Sequence, residues 1–121
     1  MPRQRQIALV HDVTELVECI KEVQQVLGHY SRTCSHLAKS VDEGKTLQEG
    51  FDSLEGPLGK REVTEALESL ERVRHRVRVS LFSLAEEERM TASETGRQLG
   101  ISRQLAARYA QEARSAKKRR S

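Results

Sequence analysis

The chain has 121 residues, of which 36% are hydrophobic and 3% aromatic, with no Trp, and this excludes a large aromatic-rich globular core. Charged residues make up 32%, and two prolines with seven glycines are too few for a turn-dense all-β fold. Few aromatics beside many Ala, Glu, Lys, Leu and Arg favour elongated helices in one domain, or one domain with an appendage.

The net charge of +3 conceals an asymmetry. Residues 1–59 carry six Lys/Arg against nine Asp/Glu, residues 60–90 seven against seven, and residues 91–121 eight against two. A basic block at one end of a balanced chain points to a polyanionic partner; the plainer reading is a solubilising tail. No apolar run approaches the ~20 residues of a membrane span, and Met-Pro-Arg-Gln-Arg leads into no signal-peptide core, so a cytoplasmic, nucleoid-associated location and no membrane partner are expected. Cys19 and Cys34 lack CxxC spacing and suit reduced thiols.

The first segment is the most regular. Leu9, Val13, Leu16, Ile20, Val23, Leu27, Tyr30, Cys34, Leu37 and Val41 alternate spacings of four and three, a heptad seam on a helix over roughly residues 7–43. Val10 and Val17 widen the stripe, while Asp12, Glu15, Glu18, Lys21 and Glu22 are placed off the seam. Residues 44–60 read as a glycine-punctuated connector with one short helix around Leu47, Phe51 and Leu54.

A second long helix is expected from about residue 60 to 89, with Val63, Ala66, Leu67, Leu70, Val73, Val77, Leu81 and Leu84 as its apolar stripe. Within it RVRHRVRV, residues 72–79, alternates with the period of a strand, but no partner strand is evident, so the stretch is read as helix. Its arginines are balanced by Glu65, Glu68 and Glu71, an ion-paired face more often than an anion site. The two long helices are expected to fold back as an antiparallel, coiled-coil-like hairpin, and hairpins with exposed stripes pair, so a homodimer is expected.

Beyond residue 90 the local signals sharpen. Thr91 with Glu94 three residues on fits a capping box, Gly100 marks a sharp turn, and Ser102 can cap a final helix. Placing Ala106 at the centre of that helix's buried side brings Tyr109, Ala110 and Ala113 inward. The opposite face then shows Gln104, Ala107, Arg108, Gln111 and Ser115, with Arg103 at its leading edge.

Residues 95–109, TGRQLGISRQLAARY, resemble the helix-turn-helix of bacterial DNA-binding regulators. Gly96 matches the small position of the first helix, Gly100 the turn, and Leu99, Ile101, Ala106 and Tyr109 the buried positions; Gly96 replaces the commoner Ala, and Ala106 is smaller than the usual branched aliphatic. The resemblance covers about 20–25 residues. It implies a helix-turn-helix with a basic tail over 91–121. Together with the periodicity read above, the expected fold is all-α: a long heptad helix with a short connector helix over 1–60, a second long helix over 60–90 that dimerises and packs on the motif, and then the motif itself.

Arg pairs with guanine and Gln with adenine in the major groove, so Arg103, Gln104, Ala107, Arg108 and Gln111 are the candidate base-reading residues. Arg97, Ser102, Arg114, Lys117 and Lys118 are placed as phosphate contacts. The expected function is sequence-specific binding of double-stranded DNA by a homodimeric transcriptional regulator, with residues 102–115 in the major groove. Segregation or packaging of plasmid or phage DNA needs the same parts. A non-DNA adaptor acting through the heptad helix on another protein's helix is the rival class.

Other chemistry is thin. His29, Cys34 and His36 lack zinc-ligand spacing, and Cys34 belongs to the seam. No GxxxxGK[ST] or GxGxxG occurs, and no triad or paired carboxylates can be read. No catalytic residue, metal or cofactor is expected.

Overall fold

The computed structural model describes residues 3–56, 58 and 60–120, excepting the side chains of 3, 60 and 117–120. Five helices follow in order: α1 (Arg3–Asp42), α2 (Leu47–Asp52), α3 (Lys60–Glu87), α4 (Ala92–Leu99) and α5 (Arg103–Arg120). Among the described residues there is no strand, and none of the helices is long and apolar enough to cross a membrane. RVRHRVRV is helical: Val73 and Val77 are buried while His75 between them is exposed, whereas a strand would turn all three to one face.

The helices divide between two compact units, one of residues 18–71 and one of residues 1–17 with 72–121. In the first, α1 ends in a Schellman motif in which Lys45 N donates to Ser40 O and Gly44 N to Val41 O, with Gly44 at φ 93°. Thr46 and Glu49 then form a complete capping box that starts α2, a signature present in the sequence and absent from the expectation above. Hydrogen bonding to the carboxyl from the Thr46 backbone N–H, and then from its side chain, holds Glu49 below its ordinary value. Gly50 lies so close to α1 that an added Cβ would come 2.8 Å from Leu37 Cδ1, so α2 lies directly on that helix. The Ser53 hydroxyl donates to Gly50 O and therefore accepts from His36 Nε2 at 3.2 Å.

In the second unit the first turns of α1 run opposite to the last turns of α3. Arg5 Nη1 pairs with Glu87 at 3.0 Å, Asp12 accepts from the Ser80 hydroxyl, and Glu15 pairs with Arg76 at 2.7 Å. Positions rise along α1 as they fall along α3. Arg76, Ser80 and Glu87 form one row of α3 toward α1. His75, Arg78, Phe82 and Glu86 form the adjoining row, and each of these meets α5. Glu112 reaches His75 and Arg114 reaches Glu86, so two nearly adjacent residues of α5 touch points about 16 Å apart on α3 at 1.5 Å per residue. α5 therefore lies across α3.

Three expectations are corrected here. Asp12, placed off the seam, is buried, because Ser80 supplies the hydrogen bond that a buried carboxylate needs. The arginines of residues 72–78 are not balanced solely from within their own helix: Arg76 is paired by Glu15 of α1, and Arg78 by the Tyr109 hydroxyl. Phe82, left out of the α3 stripe, is among its most buried residues at 3% exposure. The α1 seam divides. Val23 is buried, and Leu9, Leu16, Tyr30 and Leu37 are half-buried, while Val13, Ile20 and Leu27 are exposed and Cys19 is buried instead.

Candidate nucleic-acid interface

The segment from α3 to α5 is set by its caps. α3 ends in a second Schellman motif, Met90 N to Ala85 O and Arg89 N to Glu86 O, in which Arg89 takes φ 64° without being glycine. Thr91 starts α4: its hydroxyl oxygen accepts from Glu94 N at 3.1 Å and its hydroxyl proton goes to Glu94 Oε1 at 2.9 Å. The reciprocal bond of a full capping box, from the Thr91 backbone N–H to that carboxylate, is replaced by this second side-chain bond.

Gly100 closes α4 in the left-handed region at φ 70°, ψ 30°, with its N–H to Arg97 O and the Ile101 N–H to Gly96 O. Two residues later the Ser102 hydroxyl accepts from Leu105 N at 3.1 Å and opens α5. Only Ile101 and Ser102 lie between Gly100 and the first residue of α5.

Close packing fixes the angle of α5. Ala106 is 1% exposed, and an added Cβ on Gly96 would come 2.7 Å from its Cβ, so the two helices cross almost backbone to backbone. Tyr109, Ala110 and Ala113 are buried with Phe82 of α3, and Val79, Ala92, Leu99, Ile101 and Leu105 close the cluster. The Tyr109 ring stacks on Phe82 at 5.7 Å between centroids and meets the His75 ring, tilted to it, at 5.4 Å.

The opposite face of α5 is free of such packing. Gln104, Ala107, Arg108 and Gln111 are exposed, as the 100° step from Ala106 places them, and Arg103, only about 60° from Ala106 around the helix, is exposed at its first residue. Ser115, expected with them, is half-buried, and Ala110 faces the core. Arg97 and Ser102 are exposed beside the turn. Ser93, Gly96, Arg97, Ile101 and Arg103 bound a cleft of about 110 Å³ there.

Arg114 is exposed but held by Glu86 at 3.3 Å, whereas Arg97, Arg103 and Arg108 enter no ion pair among the described residues. The side chains of Lys117 and Lys118 lie outside the described residues. The face thus carries uncompensated positive charge and amide groups on a rigid helix.

Two contacts of this region escape a reading by sequence. His75 Nε2 meets Glu112 at 2.6 Å, and Arg78 Nη1 donates to Tyr109 Oη at 3.0 Å. Each joins residues more than thirty positions apart, beyond the reach of helical spacing. A group of three possible metal ligands is formed by His11, Asp12 and Glu15, not by His29, Cys34 and His36. Glu15 in that group is already paired with Arg76.

Compared with protein-family models, curated proteins and solved structures, the chain matches none.

Proposed function

We propose that the chain is a sequence-specific, double-stranded DNA-binding protein of the homodimeric transcriptional-regulator type, in which α4, the Gly100 turn and α5 act as a helix-turn-helix. The carrying observation is the division of α5 into a packed face, Ala106, Tyr109, Ala110 and Ala113, and an outward face of Arg103, Gln104, Ala107, Arg108 and Gln111. Arginine and glutamine on a rigidly held helix supply bidentate donors for guanine and both a donor and an acceptor for adenine. Arg97 and Ser102, with the first N–H groups of α5, offer phosphate contacts beside them.

A dimer is supported by apolar side chains left in water. On α1, Val10 is 65%, Val13 39% and Val17 44% exposed, at the three-and-four spacing of a helix seam. A second copy seated there would give two reading helices and a two-fold symmetric site.

The test is selection of bound sites from a random duplex pool, followed by fluorescence anisotropy on the selected site across a salt series. A symmetric site and a log–log salt slope of about −5, for roughly six neutralised phosphates, are expected. Salt-insensitive binding, or no binding, refutes the reading and leaves the helical adaptor. Sedimentation should find a dimer that Val13→Lys with Val17→Lys dissociates.

A further inference from the structure

On the side of α5 away from the reading face, a cavity of about 630 Å³ opens where that helix passes α1 and α3. Its apolar wall is Ile7 and Ala8 of α1, Val79 of α3, and Ala113 and Ala116 of α5. Asp12, Ser80 and Ser83 supply its polar patch.

Asp12 is the unusual member. Its residue exposure is only 8%, and a buried carboxylate calls for a compensating cation. The Ser80 hydroxyl occupies Oδ2, and Oδ1 faces the exposed His11 ring, which also lines the cavity, at 3.4 Å, an ion pair only when that ring is protonated. Arg5 and Arg76 also line the cavity, but each is committed to a carboxylate of its own, Glu87 and Glu15. Counting those two pairs as neutral, and with the His11 ring uncharged, Asp12 leaves the cavity with one negative charge that a bound cation can take over from His11. An apolar wall with one buried acceptor suits a ligand with an apolar body and a charged donor head.

We infer that this cavity binds a small amphipathic organic cation, its ammonium group on Asp12 and its alkyl part against Val79, Ala113 and Ala116. An inorganic cation would leave the apolar wall unused, and an anion would meet Asp12 directly. The occupant bridges α1 and α3 to α5. Resting on the DNA reading above, occupancy changes the hold on α5 and so the affinity for duplex.

The test uses the full chain and hexylammonium as probe, with hexanoate and hexanol as controls at matched ionic strength. Amide NMR without DNA should show saturable shifts at Ser80, Ser83 and Ala113 with hexylammonium alone. Asp12→Asn, which keeps the shape and removes the charge, should weaken binding about tenfold or more. Ala116→Leu, which narrows the cavity and leaves Asp12 in place, should weaken it too. Equal shifts with the controls, no saturable shift, or unchanged affinity in both variants overturns the site; should Asp12→Asn unfold, the Ala116→Leu comparison decides. Anisotropy on the selected duplex, with ammonium chloride replacing the probe as control, tests the coupling, and unchanged affinity at saturation overturns it. Because the NMR arm contains no DNA, its failure is separate from failure of the DNA reading.

Discussion

The Arg78 guanidinium is bound to Tyr109 twice over: Nη1 donates to the phenolic oxygen at 3.0 Å, and the guanidinium carbon stands 5.5 Å from the ring centroid. Tyr109 is thereby fixed between Arg78, Phe82 and His75, all three from α3. Tyr109→Phe keeps the stacking and loses one hydrogen bond, an expected cost of about 1 kcal/mol in urea unfolding. Tyr109→Ala empties the cluster and should cost about 3 kcal/mol or more. If α5 reads DNA as proposed, Tyr109→Phe retains site preference, since the helix stays in place.

The crossing of α4 and α5 gives a second prediction. Gly96→Ala puts a methyl 2.7 Å from Ala106 Cβ, and both backbones belong to helices that cannot yield locally. The overpacking cost, about 1–3 kcal/mol, should exceed the gain of about 1 kcal/mol from better helix propensity. Adding Ala106→Gly removes the clash, so the double variant should be less destabilised than the sum of the singles. Strict additivity in that cycle would show that the crossing has room to relax.

Two of the left-handed caps predict opposite outcomes. Gly100 at φ 70° uses glycine where it is needed, and Gly100→Ala should lower stability by about 1 kcal/mol. Arg89 at φ 64° holds the equivalent position after α3 with a side chain that disfavours it. Arg89→Gly should raise stability by about the same amount, less the unfolded-state entropy that glycine adds. Thermal unfolding of the two variants side by side measures both.

Substitutions on the proposed DNA face should separate into two kinds. Arg108→Ala should cost about 1–3 kcal/mol on the selected site and relax preference at one base pair. Arg97→Ala should weaken binding almost equally on all sequences and reduce the magnitude of the salt slope by about 1. Competition anisotropy with selected and scrambled duplexes distinguishes them.

The capping box of α2 sets a pH dependence. The Thr46 backbone N–H and hydroxyl hold the Glu49 carboxyl below its ordinary 4.5, so the folded cap prefers the ionised form. Its contribution is complete above that value and is lost as pH falls through the lowered one. The Thr46 amide resonance should titrate with a midpoint under 4.5, and Glu49→Gln should abolish the titration. A midpoint at or above 4.5 would contradict the bond.

The sequence carried the local decisions well because they rest on contacts within a turn or two. Gly100, Ser102 and the Ala106–Tyr109–Ala113 face follow from spacing and backbone conformation alone. What escaped depends on partners distant in sequence. Asp12 reads as a surface carboxylate until Ser80, 68 residues away, is brought beside it. Phe82 reads as an off-stripe residue because α3 has two inward rows, and a single stripe drawn through Val77, Leu81 and Leu84 captures neither fully. Arg89 breaks the glycine rule for helix ends, so composition gave no sign of the left-handed turn there.

Those adjoining rows leave α3 intolerant of a change in phase. Deleting one residue between positions 78 and 80 would swing everything downstream by about 100°, turning Phe82 and Glu87 away from their neighbours together. Removing seven would return both rows to within about 20° of their bearings. A one-residue deletion in this helix should therefore disrupt the fold through phase, whereas a seven-residue deletion keeps the phase and shifts the register by about 10 Å.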